Sequence, residues 1–209
     1  MLLPEKSYHI FNRGNNRETI FPQERNYSFF LERYKKYCAS IFKTLAYALM
    51  PNHFHLVVQM RAQKEIESLI QNTSREGFKK YRDTEVTEEV CSSYVTKELT
   101  HFFVSYSKAV IVQENRTGSL LQNRFHHPEI TDEEQLRNTI VYAHLNAVHH
   151  GFAEHVEDWR FTSYHDCIAA DNSLIEANEV LELFDGVDNF IFLHRKRNKD
   201  LLLMDFDED

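Results

Sequence analysis

The sequence predicts an α+β fold with a largely antiparallel sheet, and three observations carry that reading. Two runs rich in Leu, Val, Phe and Tyr, Phe42–Met50 and His53–Met60, are separated only by Pro51 and Asn52, a spacing that favours a hairpin. Segments of helical period alternate with these strand-like runs instead of following them in one block. A helix with a strong start signal begins at Thr131, where Thr131 and Glu134 form a capping-box pattern and Asp132 and Glu133 suit the positive end of the helix dipole.

Taken in order, residues 7–12 (SYHIFN) alternate and end at Arg13-Gly14-Asn15-Asn16, which predicts a strand and a tight turn. Residues 25–40 place Phe29, Phe30, Arg33, Tyr34 and Tyr37 at helical spacing. After the hairpin a helix is expected at Gln63–Asn72. Residues 73–93 are polar and carry no clear period, whereas 97–113 reads as a helix and 119–126 as a further strand. The capped helix runs from Thr131 to a natural stop at Gly151. Beyond it come an aromatic segment at 159–164, a short helix at 174–184, a turn at Asp185-Gly186, a final helix, and a loose acidic tail at 205–209.

Composition narrows the function classes. The chain has 209 residues, 42% of them hydrophobic, with 5 Gly and 4 Pro, which suits a folded domain and excludes a fibrous or disordered one. Three isolated cysteines, Cys38, Cys91 and Cys167, give neither a CxxC pair nor an even framework, so a disulfide-built secreted domain is excluded. No signal peptide or apolar run of about 20 residues is present, so a cytoplasmic protein without a membrane partner is expected. The net charge of -8 hides an asymmetry: residues 1–127 hold 18 basic and 13 acidic residues, residues 128–209 hold 6 and 19. The first part can present a basic face to a polyanion; the same asymmetry also arises as ordinary solubility charge.

Two places can carry chemistry. In a strand, His53 and His55 point to one face while Phe54 enters the other, which gives a two-imidazole platform for a metal, or simply two surface histidines on an edge. On the capped helix, Leu136, Ile140, Ala143 and Ala147 form an apolar stripe, and Asn138, Tyr142, Asn146 and His149 lie on another face. Tyr142 and Asn146 are therefore neighbours one turn apart. A tyrosine there is a packing residue or a nucleophile for phosphorus, and an amide oxygen one turn away can serve a cation. A phenol titrates near pH 10, so only about one in a thousand is ionised at neutral pH and a nearby cation or base must assist such an attack.

These residues lie in a context that resembles a known family. SYHIFNRGNNR at 7–17 and AYALMPNHFHLVV at 46–58 are similar to the REP-associated branch of the single-tyrosine HUH transposases, related to the insertion-sequence-200 transposases. GSLLQNRF at 118–125, YAHLN at 142–146 and WRFTSY at 159–164 resemble further family elements, with Thr162 where the family has Ser. The similarity spans roughly residues 7–165.

The resemblance implies a HUH, ferredoxin-like nuclease fold with a central antiparallel sheet flanked by helices, a transposase-like domain at 1–165, and a helical extension at 166–209. It implies a metal-dependent single-strand DNA transposase acting on hairpin or palindromic repeats through a 5′-phosphotyrosine. In that reading Tyr142 is the nucleophile, His53, His55 and Asn146 hold Mg²⁺ or Mn²⁺, and Asn12, Arg13, Asn15 and Arg17 contact DNA, whether the protein is a monomer or a homodimer. Ala147 stands where the family usually has Pro, which predicts a straighter helix after Asn146. A second tyrosine beside Tyr142 is absent, which favours the single-tyrosine mechanism. Two alternatives stand beside this one: a domesticated nucleic-acid-binding module without turnover, and a zinc hydrolase using His53 and His55, which no HExxH pattern supports.

Overall fold

A computed structural model describes residues 1–203, with side chains to residue 200; the acidic tail expected at 205–209 lies outside the described residues. Four strands, β1 (Ser7–Arg13), β2 (Phe42–Met50), β3 (His53–Met60) and β4 (Glu129–Ile130), form one antiparallel sheet in the order β2-β3-β1-β4. Eight α-helices accompany it among the described residues: α1 (Glu24–Cys38), α2 (Gln63–Asn72), α3 (Lys79–Arg82), α4 (Glu88–Gln113), α5 (Glu133–His149), α6 (Tyr164–Ile168), α7 (Ala177–Leu183) and α8 (Val187–Leu203). The fold is α+β as the sequence predicts, and none of these helices is long and apolar enough to cross a membrane.

Alternation explains how the sheet is covered on both sides. Phe54, Leu56 and Val58 of β3 and Tyr8 and Ile10 of β1 are buried on one face. Against them pack α1 and α4, with Phe30 of α1 5.0 Å from Phe54 and 4.8 Å from Phe102 of α4 between ring centroids. The opposite face carries His53, His55 and Val57, with Ala48 of β2 across from His55 and Met50 across from His53. Helix α5 lies on this face, and Ala147 meets Ala48 and Met50 there. Small side chains on both elements let the helix axis come close to the strand. The outer edge of β2 is closed by the 161–163 segment: Leu49 N–H donates to the Phe161 carbonyl at 2.9 Å and Ser163 N–H to Tyr47 at 3.0 Å. That pairing uses the free edge groups that otherwise invite aggregation.

Two expectations near α5 need correction. Residues 119–126 do not form a strand; they make two isolated bridges, Leu121 opposite Gly14 just after β1 and His126 opposite Phe11 within it. Gln122 N–H donates to the Arg13 carbonyl and His126 N–H to that of Phe11, so more residues lie along this segment than along β1 and the surplus is extruded, which breaks the ladder. The short pairing strand is instead Glu129–Ile130. The cap of α5 is Asp132, not Thr131: its carboxylate accepts from Gln135 N–H at 2.7 Å, and the Gln135 side chain accepts from Thr131 N–H at 2.8 Å. Asp is as good a cap as Thr, so the start signal was right in kind and off by one residue.

The far end of α5 agrees with its sequence signal. Gly151 has φ +69. Its N–H donates to the Val148 carbonyl at 3.0 Å and that of Phe152 to the Ala147 carbonyl at 2.8 Å, a Schellman pair that a residue without Cβ makes without strain. Helix α4 begins nine residues before the expected 97, capped by the Thr87 hydroxyl, because residues 88–96 bury Cys91, Tyr94 and Val95 despite their polar neighbours. The three cysteines are buried and free.

Candidate active site

The site is assembled from β1, β3 and α5. On β3, His53 and His55 share the face under α5, as strand alternation requires, and each is 6% exposed. Their ring centroids are 5.2 Å apart. Asn146, fully buried on α5, brings its Oδ1 to 2.7 Å from His53 Nε2. Tyr142, one turn earlier, remains 46% exposed, and its ring centroid lies 5.7 Å from that of His55 and 6.1 Å from that of His9. One helix thus buries an amide against the histidines and leaves a phenol at the opening, because positions 142 and 146 are a turn apart and the C-terminal half of α5 sinks into the fold. A cavity of about 290 Å³ lies here, lined among others by Arg13, His53, His55, His126, Tyr142 and His150. Tyr142 also borders a wider cleft of about 1270 Å³ that runs along α5 to Lys196 and Arg197 of α8.

Both histidines are held neutral. Burial pulls His53 down to about 4, against a smaller opposing effect of its hydrogen bond to Asn146. Burial likewise takes His55 well below the usual histidine range, and the nearby His9, His53 and His150 push the same way. Neutral imidazoles offer lone pairs, the form in which histidine binds metals.

Among the described residues no three His, Cys, Asp or Glu side chains converge as a metal cluster, and the amide of Asn146 is the candidate third donor beside His53 and His55. The hydrogen-bond count at His53 leaves room for a cation. His53 Nδ1 lies 2.7 Å from Asn52 Oδ1 and Nε2 lies 2.7 Å from Asn146 Oδ1. A neutral imidazole has one proton for these two oxygens, so one contact lacks a proton. Asn146 Nδ2, meanwhile, is buried without a partner. Turning the Asn146 amide over lets Nδ2 donate to Nε2 and meets both needs; with Oδ1 toward the ring, Nε2 and Oδ1 can share a divalent cation instead, and two imidazoles with one amide oxygen suit Mn²⁺ or Mg²⁺ with further oxygen ligands.

The residues expected to meet DNA are placed unequally. Arg13, Asn15 and Arg17 are exposed, and Arg13 lines the small cavity. Asn12 is buried, its Nδ2 donating to the Gln122 carbonyl at 3.1 Å and its Oδ1 accepting from Arg13 N–H at 2.8 Å, so its amide is spent on holding the 119–126 segment. Tyr8, Tyr47 and Tyr164 are core residues. His144 points away from Tyr142 into the protein, bonded to His194 of α8 at 2.9 Å and to Ser163 Oγ at 2.8 Å. His126 stacks on Phe11 at 4.8 Å, at the rim of the cavity.

Sequence reasoning missed His9, Asn52 and His150. His9 Nε2 meets His55 Nδ1 at 2.8 Å, and His150 lies 4.8 Å from His53 between ring centroids. His9 shares a strand face with Phe11 and Arg13, a signal present in the sequence, but the register that sets β1 beside β3 is not local information.

Comparison with known proteins agrees with this architecture. Residues 4–89 match the family model described as "Transposase IS200 like". A Haemophilus influenzae protein named "Putative REP-associated tyrosine transposase" is 26% identical over 161 residues, covering 73% of this chain and 81% of that protein. A solved structure of a REP-associated tyrosine transposase bound to a REP hairpin superposes with a TM-score of 0.53 and 16% identity, over 85% of this chain and 86% of that one, which establishes a shared fold. The chain is thus similar to the IS200-like transposases over residues 4–89, and over 161 residues to a protein named as a REP-associated tyrosine transposase.

Proposed function

We infer that this protein is a metal-dependent single-strand DNA transposase that nicks and rejoins hairpin-containing DNA through Tyr142. The observation that carries the reading is the convergence of His53, His55 and Asn146 in a buried pocket beside the exposed Tyr142. The same reading assigns residues 1–165 to a catalytic domain and 166–209 to a helical extension, and takes a hairpin as substrate by analogy with the REP-bound relative.

Each residue then has a task. His53 and His55, neutral and fixed on one strand, would hold Mg²⁺ or Mn²⁺ with Asn146; the bound cation would polarise the scissile phosphate and favour loss of the phenolic proton. Tyr142 Oη attacks phosphorus in line, forming the Oη–P bond as the P–O3′ bond breaks. The phenolic proton is lost and the departing O3′ becomes a 3′-OH. The other fragment stays on Tyr142 by its 5′-phosphate, so the phosphoester is conserved and a second 3′-OH can reverse the step without a nucleotide cofactor. Arg13 and Arg17 would hold the strand by its phosphates, outside the reacting atoms.

End-labelled oligonucleotides test this directly. With Mn²⁺ and a single-stranded hairpin, a 3′ label should travel with the protein on a denaturing gel and a 5′ label should run as a free fragment with a 3′-OH. The opposite distribution would mean a 3′-phosphotyrosine and overturn the assignment. Binding with neither product favours the non-catalytic module.

A further inference from the structure

We propose that Asn52 and His9 are positioning residues that fix the tautomers of His53 and His55, so that both rings keep the proton on Nδ1 and turn an unprotonated Nε2 toward Asn146. The purpose of this arrangement rests on the metal reading above, but its geometry does not.

For His53 the logic begins in the turn between β2 and β3. Asn52 is anchored there by its backbone: its carbonyl accepts from Gly14 N–H at 2.8 Å, and the preceding Pro51 carbonyl accepts from Ile20 and Phe21 N–H. Asn52 Nδ2 donates to the Arg17 carbonyl at 3.4 Å. A carbonyl can only accept, so this contact decides which end of the amide is nitrogen, and Oδ1 is the atom that faces His53 Nδ1 at 2.7 Å. An amide oxygen cannot donate, so His53 Nδ1 carries the proton and Nε2 is bare. That bare nitrogen faces the Asn146 amide at 2.7 Å. The lone pair is therefore on the inner side, open to an amide N–H or to a cation.

His9 does the same for the second ring. Its Nε2 lies 2.8 Å from His55 Nδ1, with the rings stacked at an interplanar angle of 26° and centroids 5.0 Å apart. One of the two nitrogens must donate. His9 is half-buried and borders the wide cleft, so solvent can meet a proton on its own Nδ1, and in that tautomer Nε2 is the acceptor. His55 Nδ1–H is then the donor and His55 Nε2 is bare. His55 interacts with the Asn146 side chain as well, so the amide serves both rings. Partners of this kind, acting on the nitrogen that does not bind the metal, set ring orientation and basicity, and losing one typically costs 10–100-fold in metal affinity.

The test uses the full chain with ¹⁵N-labelled histidine and no metal. Long-range ¹H–¹⁵N correlations report the tautomer of each ring, and the inference requires Nδ1–H at both His53 and His55. Mn²⁺ affinity, measured by the free-ion EPR signal without DNA, should fall 10–100-fold in His9→Ala and in Asn52→Ala. His9→Gln, which places an amide near the position of the imidazole Nε2, and Asn52→Asp, which keeps an acceptor, should recover most of the loss. A purely structural role would not follow that pattern of rescue, and circular dichroism checks that each variant folds. Nε2–H at either ring in the wild-type protein, or Mn²⁺ affinity within twofold of wild type in both alanine variants, overturns the proposal. If the tautomers are as assigned and wild-type protein binds no Mn²⁺, the tautomer assignment stands and the metal reading fails.

Discussion

Asn146 offers the sharpest test at the scale of one residue. It is fully buried, yet its Nδ2 has no partner, so it adds little to stability for the desolvation it costs. Asn146→Ala should therefore change the urea midpoint by less than about 1 kcal/mol equivalent while lowering metal-dependent nicking by on the order of 100-fold. A large stability loss with unchanged nicking would make Asn146 a packing residue. The exposed arginines give a second residue-level prediction. If Arg13 and Arg17 each touch a phosphate, replacing either by Ala should reduce the salt slope of single-strand binding by roughly 0.7. An unchanged slope places the strand elsewhere. That His53 and His55 share a strand face and that Tyr142 and Asn146 lie one helical turn apart were legible because strand and helix periods are local; their grouping in one site was implied by the family resemblance alone. Asn12 was expected to contact DNA, and its burial could not be foreseen because its partner, the Gln122 carbonyl, lies 110 residues away.

Among the elements, α5 and the turn after β1 bear most on the site. Ala147 is fully buried against Ala48 and Met50, so this stretch of α5 sits on β2 at the distance two small residues allow. Ala147→Leu should cost about 1–3 kcal/mol in chemical denaturation and, by lifting the helix, weaken the reach of Asn146 to His53. Gly14 is constrained more strictly: a Cβ built there would lie 1.9 Å from the Glu18 carbonyl oxygen, backbone that cannot swing aside. Gly14→Ala should therefore destabilise the loop that clamps Pro51 and Asn52, and the resulting disorder should appear as faster amide exchange at Ile20 and Phe21. The hairpin Phe42–Met50 and His53–Met60 and helix α2 were legible to the residue because local period and turn signals agree there. The 119–126 segment was not, because it meets the β1 region at two isolated bridges, and the extra residues between them are invisible without the pairing.

The molecule as a whole joins its C-terminal helices to the site face through buried histidines. His144 of α5 and His194 of α8 are fully buried and bonded to each other, with Ser163 completing the chain. Burial pulls His194 down to about 4 and His144 well below the usual range. In the unfolded chain a histidine titrates near 6.5, so the unfolded state takes up protons first as pH falls. Stability is thus complete above about pH 6.5 and is lost as pH falls toward 4, by on the order of 2 kcal/mol at pH 5 for a group shifted as far as His194. Urea denaturation at pH 7.5 and pH 5 measures the difference, and His194→Gln should shrink it; an equal loss in the variant would assign the acid sensitivity to other groups. The charge asymmetry read from the sequence also belongs to this scale, since it puts the basic excess on residues 1–127, the part that holds β1, β3 and the exposed Arg13 and Arg17.

The most direct measurement of the central claim is a denaturing gel of the purified protein with single-stranded hairpin oligonucleotides and Mn²⁺, beside Tyr142→Phe and a chelator control. The account predicts a covalent protein–DNA band that needs the metal and disappears in the variant. A band that persists in Tyr142→Phe, or none on an oligonucleotide the protein demonstrably binds, would contradict it.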